Sequence, residues 1–360
     1  MPAPRDALEA VTHADPYPYY RSLREAQPLF FDAVLRLWVA SSHAAVDAAL
    51  RHPGLRVRPL GEAVPKALQG GVAGQVFAQL VRMTDGDFHA VHKPGVELAA
   101  RRWQLADAAR AAEDAVQDLV PRLAVNDFLT ALPVHTMARL LGVPASEREP
   151  TCRWVAQFTQ GIASGAGAQA VARAHQAAEA LMAQGQAQGL PPAQAANRIA
   201  FMQQAMDATG GLLGHVVLRL AQDPVHAALA DASAAAMRVF VREVERWAAP
   251  VQNTRRFAAE SLTLLDHSIT AGQGVLLLLA SVNRDAAFNP QPDDFAMDRA
   301  QARSMGFGAG PHVCPGAEIA IETVAACVGW IRDSGRFDGY FGRPAGFRPL
   351  SNARIPVFEN

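Results

Sequence analysis

The residues best placed to do chemistry lie in the run Phe307-Gly308-Ala309-Gly310-Pro311-His312-Val313-Cys314-Pro315-Gly316, which leads at once into the helical run Ala317 to Trp330. Glycines at 308, 310 and 316 permit a tight loop and a close approach of backbone to a flat ligand. Cys314 stands just ahead of a helix N-terminus. Exposed N–H groups and the positive helix end there are expected to lower the thiol pKa and to moderate electron donation from sulfur to a bound metal. Cys327 has none of these features and reads as an inert buried thiol. With Cys152 it completes a set of three, too few and too irregularly spaced for a disulfide framework or a zinc finger.

Three other groups of residues bear on chemistry. In Glu243-Val244-Glu245-Arg246, the i,i+3 spacing puts Glu243 and Arg246 on one helix face, where they can pair. Glu245 is expected on another face and should tolerate substitution. In His89-Ala90-Val91-His92-Lys93, the two histidines lack a third ligand of suitable spacing, which disfavours a metal site and leaves a surface pair as the plain alternative. Lys93 is one of only two lysines, the other being Lys66. In Gln204-Ala205-Met206-Asp207-Ala208-Thr209-Gly210-Gly211, an acid and an alcohol sit on a helix that the paired glycines weaken.

The elements that must position these residues are mainly helical. Alanine-rich stretches with apolar residues every three or four positions predict helices over Asp107–Val120, Ala168–Gln184, Ala195–Gln222 and Ala234–Trp247. Strand signals are few and short, at Leu35–Ala40, Val251–Phe257 and Gly274–Ser281, and predict small peripheral sheets around a helical domain. From Asp285 to Pro315 dense Pro, Asn, Asp and Gly replace any period, and an irregular stretch of that length is usually functional. Neither an internal repeat nor a linker interrupts the chain, so residues 1–360 read as a single domain.

Composition narrows the function classes. Half of the residues are hydrophobic and 19% charged, as in a globular unit, and a net charge of -1 provides no footprint for nucleic acid. The N-terminus lacks a basic region followed by an apolar core, and the apolar run around Val275–Ala280 falls far short of a membrane span, so a cytoplasmic protein without a membrane anchor is expected.

The loop around Cys314 resembles the heme-binding loop of the cytochrome P450 family, F-G-x-G-x-H-x-C-x-G, at every defined position. Glu243 and Arg246 match that family's E-x-x-R motif, the helix breaks afterwards at Pro250 as the family's K helix does, and Ser281-Val282-Asn283-Arg284-Asp285 matches its a-N-R-D segment. Asp15-Pro16-Tyr17-Pro18-Tyr19-Tyr20 with Leu23-Arg24 is similar to its A-helix start, so the resemblance spans almost the whole chain. It implies the cytochrome P450 fold, heme b as cofactor and Cys314 as thiolate ligand of the iron, with Phe307, Gly308 and Gly316 shaping the loop. His89, Lys93, Arg256 and His312 take the positions of heme-propionate contacts, Lys93 standing where the family has Arg and His312 having a satisfied structural histidine as its plainer, less favoured alternative. Arg299 is the candidate third member of the Glu243–Arg246 network.

The resemblance also implies an activity. It points to a heme-thiolate monooxygenase that inserts one oxygen atom from dioxygen into a small organic or natural-product molecule, with electrons from a separate ferredoxin and its reductase. Arg101, Arg102 and Arg303 are candidate docking charges. The family's distal motif A-G-x-[DE]-T places Asp207 on the acid but Ala208 on the alcohol. Thr209 follows one position later, rotated by about 100° on a regular helix. Either a distortion at Gly210 and Gly211 re-aims Thr209, or water or a substrate hydroxyl supplies the proton. Gln203 and Gln204 would suit a polar substrate, although a solvated helix face is the plainer reading of both. Alternatives are a peroxide-driven or dehydratase-like member of the family, and a non-catalytic heme-binding protein. The segment between Pro144 and Asp207 is short, implying a reduced or reshaped lid with Gly161–Gly167 as its mobile part.

Overall fold

Alanine-rich sequence with a 3.6-residue period becomes helix here, and a side-chain cap or a proline sets several of the starts. In the computed structural model, which describes residues 2–359, the chain opens with α1 (Tyr17–Ala26), β1 (Leu29–Asp32), β2 (Leu37–Ala40), α2 (His43–Arg51), β3 (Leu55–Arg56) and α3 (Val72–Ala78). A helical block follows: α4 (Gly86–Arg102), α5 (Leu105–Leu119), α6 (Val125–Leu140), α7 (Ala145–Ile162), α8 (Ala168–Ala187), α9 (Pro192–Gln222), α10 (Pro224–Ala230) and α11 (Ala234–Ala248). The last third holds β4 (Thr254–Ala258), β5 (Leu262–Leu264), β6 (His267–Ile269), β7 (Gly274–Leu277), α12 (Leu279–Asn283), α13 (Ala317–Asp333), α14 (Phe337–Tyr340), β8 (Pro344–Phe347) and β9 (Pro356–Phe358).

The local reasons are readable. Ser233 caps α11 by accepting from Ala236 N–H, and Asp223 does the same for α10 through His226 N–H. Helix α11 ends at Ala249, which takes the left-handed conformation at φ 43°, followed by Pro250. The expected strand over Gly274–Ser281 ends at Leu277, and its apolar tail becomes α12. Strand β7 is buried along its whole length at the middle of a five-stranded sheet ordered β1-β2-β7-β4-β3, parallel to β2 and antiparallel to β4. Two-stranded ribbons β5-β6 and β8-β9 lie apart from it.

Helix α9 runs through the core. Its Leu212, Leu213 and Val216 pack in one cluster with Phe128 and Leu129 of α6, Phe240 and Val244 of α11, and Val324 and Val328 of α13. The stretch Gly310–Asp333 is, contrary to the sequence expectation, long and apolar enough for a membrane span. Its buried Ile321, Val324, Cys327 and Val328 instead belong to this protein core.

Gly210 and Gly211, expected to weaken α9, have another use. Helix α9 is regular across both, and a Cβ at Gly210 would stand 2.4 Å from the Leu129 carbonyl oxygen of α6. The glycine lets the two helices touch backbone to backbone.

The irregular stretch is held by ions. Arg246 is fully buried and donates from Nε and Nη2 to both oxygens of Glu243, at 2.8 and 2.6 Å. Its remaining donors reach the carbonyls of Asn283, Pro292 and Asp294. Arg299 Nε donates to Glu243 at 3.0 Å, and its other nitrogens reach the carbonyls of Pro290, Gln291 and Asp294.

Two stability predictions follow from this packing. Glu243→Ala strips the partner from a buried guanidinium and should cost about 3 to 5 kcal/mol in urea unfolding, whereas breaking the exposed Arg5–Glu9 pair through Glu9→Ala should leave the midpoint unchanged. Gly210→Ala should lower the melting temperature although alanine favours helix by about 1 kcal/mol, while Gly329→Ala in α13, where a Cβ meets nothing within 4 Å, should raise it.

Candidate active site

The loop before α13 is shaped by its glycines. Gly308 and Gly310 adopt φ of 72° and 67°, values that disfavour any side chain, and a Cβ at Gly310 would press on the Leu50 carbonyl oxygen at 3.1 Å. Cys314 N–H donates to the Phe307 carbonyl at 2.9 Å, and Gly308 N–H to Met305 at 2.8 Å, so the loop closes on itself. Lys93 of α4 donates to the Val313 carbonyl at 2.7 Å.

Cys314 is accessible, yet burial is the chief cause that raises its thiol pKa. Its free surface therefore opens into the interior. Gly316 N–H, Lys93 and Arg82 favour the thiolate, but they do not outweigh burial, and Glu245 opposes them. The lowered pKa expected from the helix N-terminus is thus corrected: in the protein alone the thiol is favoured, and a metal would have to displace its proton.

Several cations face the same region. Arg256 on β4 is buried, and burial followed by the charge of Arg82 lowers its pKa to about 10. Among the described residues its donors reach only the Arg255 carbonyl and the Thr254 hydroxyl. Arg82 has its Met83 thioether contact and no carboxylate partner among the described residues. Lys93 lies 3.8 Å from Glu97. Burial lowers the pKa of His89, whose Nε2 is buried without a partner. His312 is different: its Nε2 is 3.1 Å from Asp85, and its ring lies 4.4 Å from that of His89. It already has a structural partner. Arg82 was missed in the sequence because an isolated arginine ahead of a helix carries no pattern.

These observations fit the cofactor that the loop implies. A sulfur opening inward, a Gly316 whose Cβ would meet nothing within 4 Å, an orphaned His89 Nε2 and arginines without carboxylates suit a flat metal macrocycle with two acidic arms.

On the other side, α9 stays regular through Asp207, Ala208 and Thr209, so no distortion re-aims Thr209. Burial raises the pKa of Asp207 and Arg348 partly offsets it. Gln203 and Gln204 are half-buried. The segment expected to form the lid holds two helices, α7 and α8, of 18 and 20 residues, and a four-residue connection, 188–191, joins α8 to α9. Gly161 is not in a mobile loop, because it lies inside α7 and a Cβ there would meet Ala174 of α8 at 2.2 Å. At the connection, Leu190 N–H donates to Gly185, itself packed on Ala195 of α9. In the first half of α8, His175 Nδ1 accepts from Ala73 N–H of α3 at 3.2 Å.

Comparison with known proteins agrees with this geometry. The profile of the family described as "Cytochrome P450" matches residues 235–331, from the start of α11 almost to the end of α13. Cytochrome P450-terp of Pseudomonas sp is 27% identical, over 84% of this chain and 83% of its own. The epothilone C/D epoxidase of Sorangium cellulosum is 28% identical, over 88% and 85%. The crystal structure of P450BioI in complex with an acyl carrier protein superposes with a TM-score of 0.79 at 23% identity, covering 95% of this chain and 96% of that one. With the ordered motifs on α11 and in the loop before α13, these likenesses make the chain a member of the cytochrome P450 family, a heme-dependent monooxygenase.

Proposed function

We propose that this protein hydroxylates or epoxidises a small organic or natural-product molecule with dioxygen, and that Cys314 is the thiolate that would hold the heme iron. The observation that carries the reading is the inward-opening sulfur of Cys314 on its glycine-shaped loop. Bound heme would activate dioxygen and transfer one of its atoms. Arg82, Lys93, Arg256 and His89 would hold the propionates, with His312 stiffening His89 through Asp85. Electrons would come from a ferredoxin and its reductase, drawn to the exposed Arg101, Arg102 and Arg303, and the protein would work in the cytoplasm.

Proton supply follows from α9. Asp207, half-buried and with its pKa raised by burial, relays protons towards the distal side, while Ala208 offers no hydroxyl to receive them. Water or a substrate hydroxyl completes the path. The same alanine favours a second reading, in which hydrogen peroxide replaces dioxygen and the electron donors, so that the delivery of protons by an alcohol is not needed.

Three measurements test this. Cys314→Ser should abolish the absorption band of the reduced carbon-monoxide complex that names the family, and Cys327→Ser should leave it intact; an unchanged band in Cys314→Ser refutes the ligand. Turnover with a surrogate ferredoxin system should exceed turnover with hydrogen peroxide alone, and the reverse order selects the second reading. Asp207→Asn should slow product formation about a hundredfold, with Thr209→Ala nearly fully coupled. Severe uncoupling in Thr209→Ala, scored as peroxide released per reduced cofactor consumed, would instead make Thr209 the alcohol.

A further inference from the structure

Glu245, one residue before Arg246, is buried and not on a solvent face as its position in the motif suggests. Its carboxyl is seated against the segment that leads into the Cys314 loop: a Cβ at Gly306 would stand 2.1 Å from Glu245 Oε1, so only glycine makes room for the acid. No cation among the described residues is bonded to it. Arg246 commits its donors to Glu243 and to three carbonyls, and Arg299 commits its own to Glu243 and to the carbonyls of Pro290, Gln291 and Asp294.

The partner is a hydroxyl. Ser304 Oγ accepts from Asn283 Nδ2 and from Gly306 N–H, both at 3.0 Å, which leaves its own hydrogen for the Glu245 carboxylate. Asn283 in turn accepts from Met305 N–H at 2.7 Å, so the acid is wired into residues 304–306. A buried acid with one neutral donor ionises with difficulty. Burial, the largest cause, raises its pKa to about 7, with the Ser304 hydrogen bond and the Arg246 charge opposing. The charged groups that face it are Arg246 on its own helix and Cys314 from the loop; Arg284 of α12 is committed to Trp247 and Asp293.

We propose that Glu245 couples one-electron reduction of the heme to uptake of one proton, making the heme reduction potential depend on pH. The step balances: one electron from a one-electron reductant adds a negative charge at the heme, and one proton from water converts the Glu245 carboxylate into its acid. Ionised Glu245 holds the potential down, and protonation releases it. The inference rests on Cys314 being the heme ligand, so the reduced carbon-monoxide band is recorded first at every pH; loss of that band counts against the ligand assignment and not against Glu245.

The experiment is a dithionite titration of the heme-loaded full chain with mediator dyes, from about pH 5 to about pH 9, in wild type and Glu245→Gln. The wild-type midpoint should fall as pH rises through neutrality by at least a tenfold change in the reduction equilibrium, about 59 mV for one electron. The Gln variant should lose this fall and stay near the acid limit of the wild type. If Glu245→Gln holds no heme, Ser304→Ala replaces it: without the hydroxyl the carboxylate is less favoured, so the inflection should move to higher pH. A flat wild-type midpoint overturns the proposal, as does an inflection retained unchanged in Glu245→Gln or unmoved in Ser304→Ala.

Discussion

The buried pairing of Arg246 with Glu243 is the constraint on which the rest depends. Between α12 and α13 the described chain has no strand and only one 3-10 turn, Gly310–His312, to satisfy its carbonyls, and buried backbone groups must be bonded somewhere. Arg246 and Arg299 supply the donors, and Glu243 pairs with both while accepting from Ala296 N–H. A stretch that could not otherwise hold a shape is thereby fixed against α11. The loop carrying Cys314 inherits that fixity at one end and receives it from α13 and Lys93 at the other.

The active-site region is, by contrast, left incomplete by the chain alone. Arginines without carboxylates and a histidine nitrogen without a partner are unfavourable in a folded protein until something acidic joins them. Binding of the cofactor then adds directly to stability, because the unfolded chain has no such site. Stability and loading are one equilibrium in this design.

The sequence made the helices and the loop legible because both depend on local signals. Alanine-rich periods end within a few residues of the observed α5, α8, α9 and α11, and a ten-residue motif needs no tertiary context. What it concealed depends on neighbours far along the chain. The two-residue strand β3 exists only because β4 pairs with it. The use of Gly210 lies in a carbonyl of α6, and the position of Glu245 in Gly306. The raised thiol of Cys314 reflects burial, which a helix-terminus argument does not count.

The four-residue link between α8 and α9 is one of three ties along α8. Gly185 is packed on Ala195 of α9 beside that link, His175 holds Ala73 N–H of α3, and Ala170 and Ala174 lie so close to Gly161 of α7 that no side chain fits between them. At 1.5 Å per residue these ties are spread over about 20 Å of the helix. A rod fastened at spaced points to three different neighbours can neither pivot nor slide without breaking contact with at least one of them, so α8 splints the helices around it.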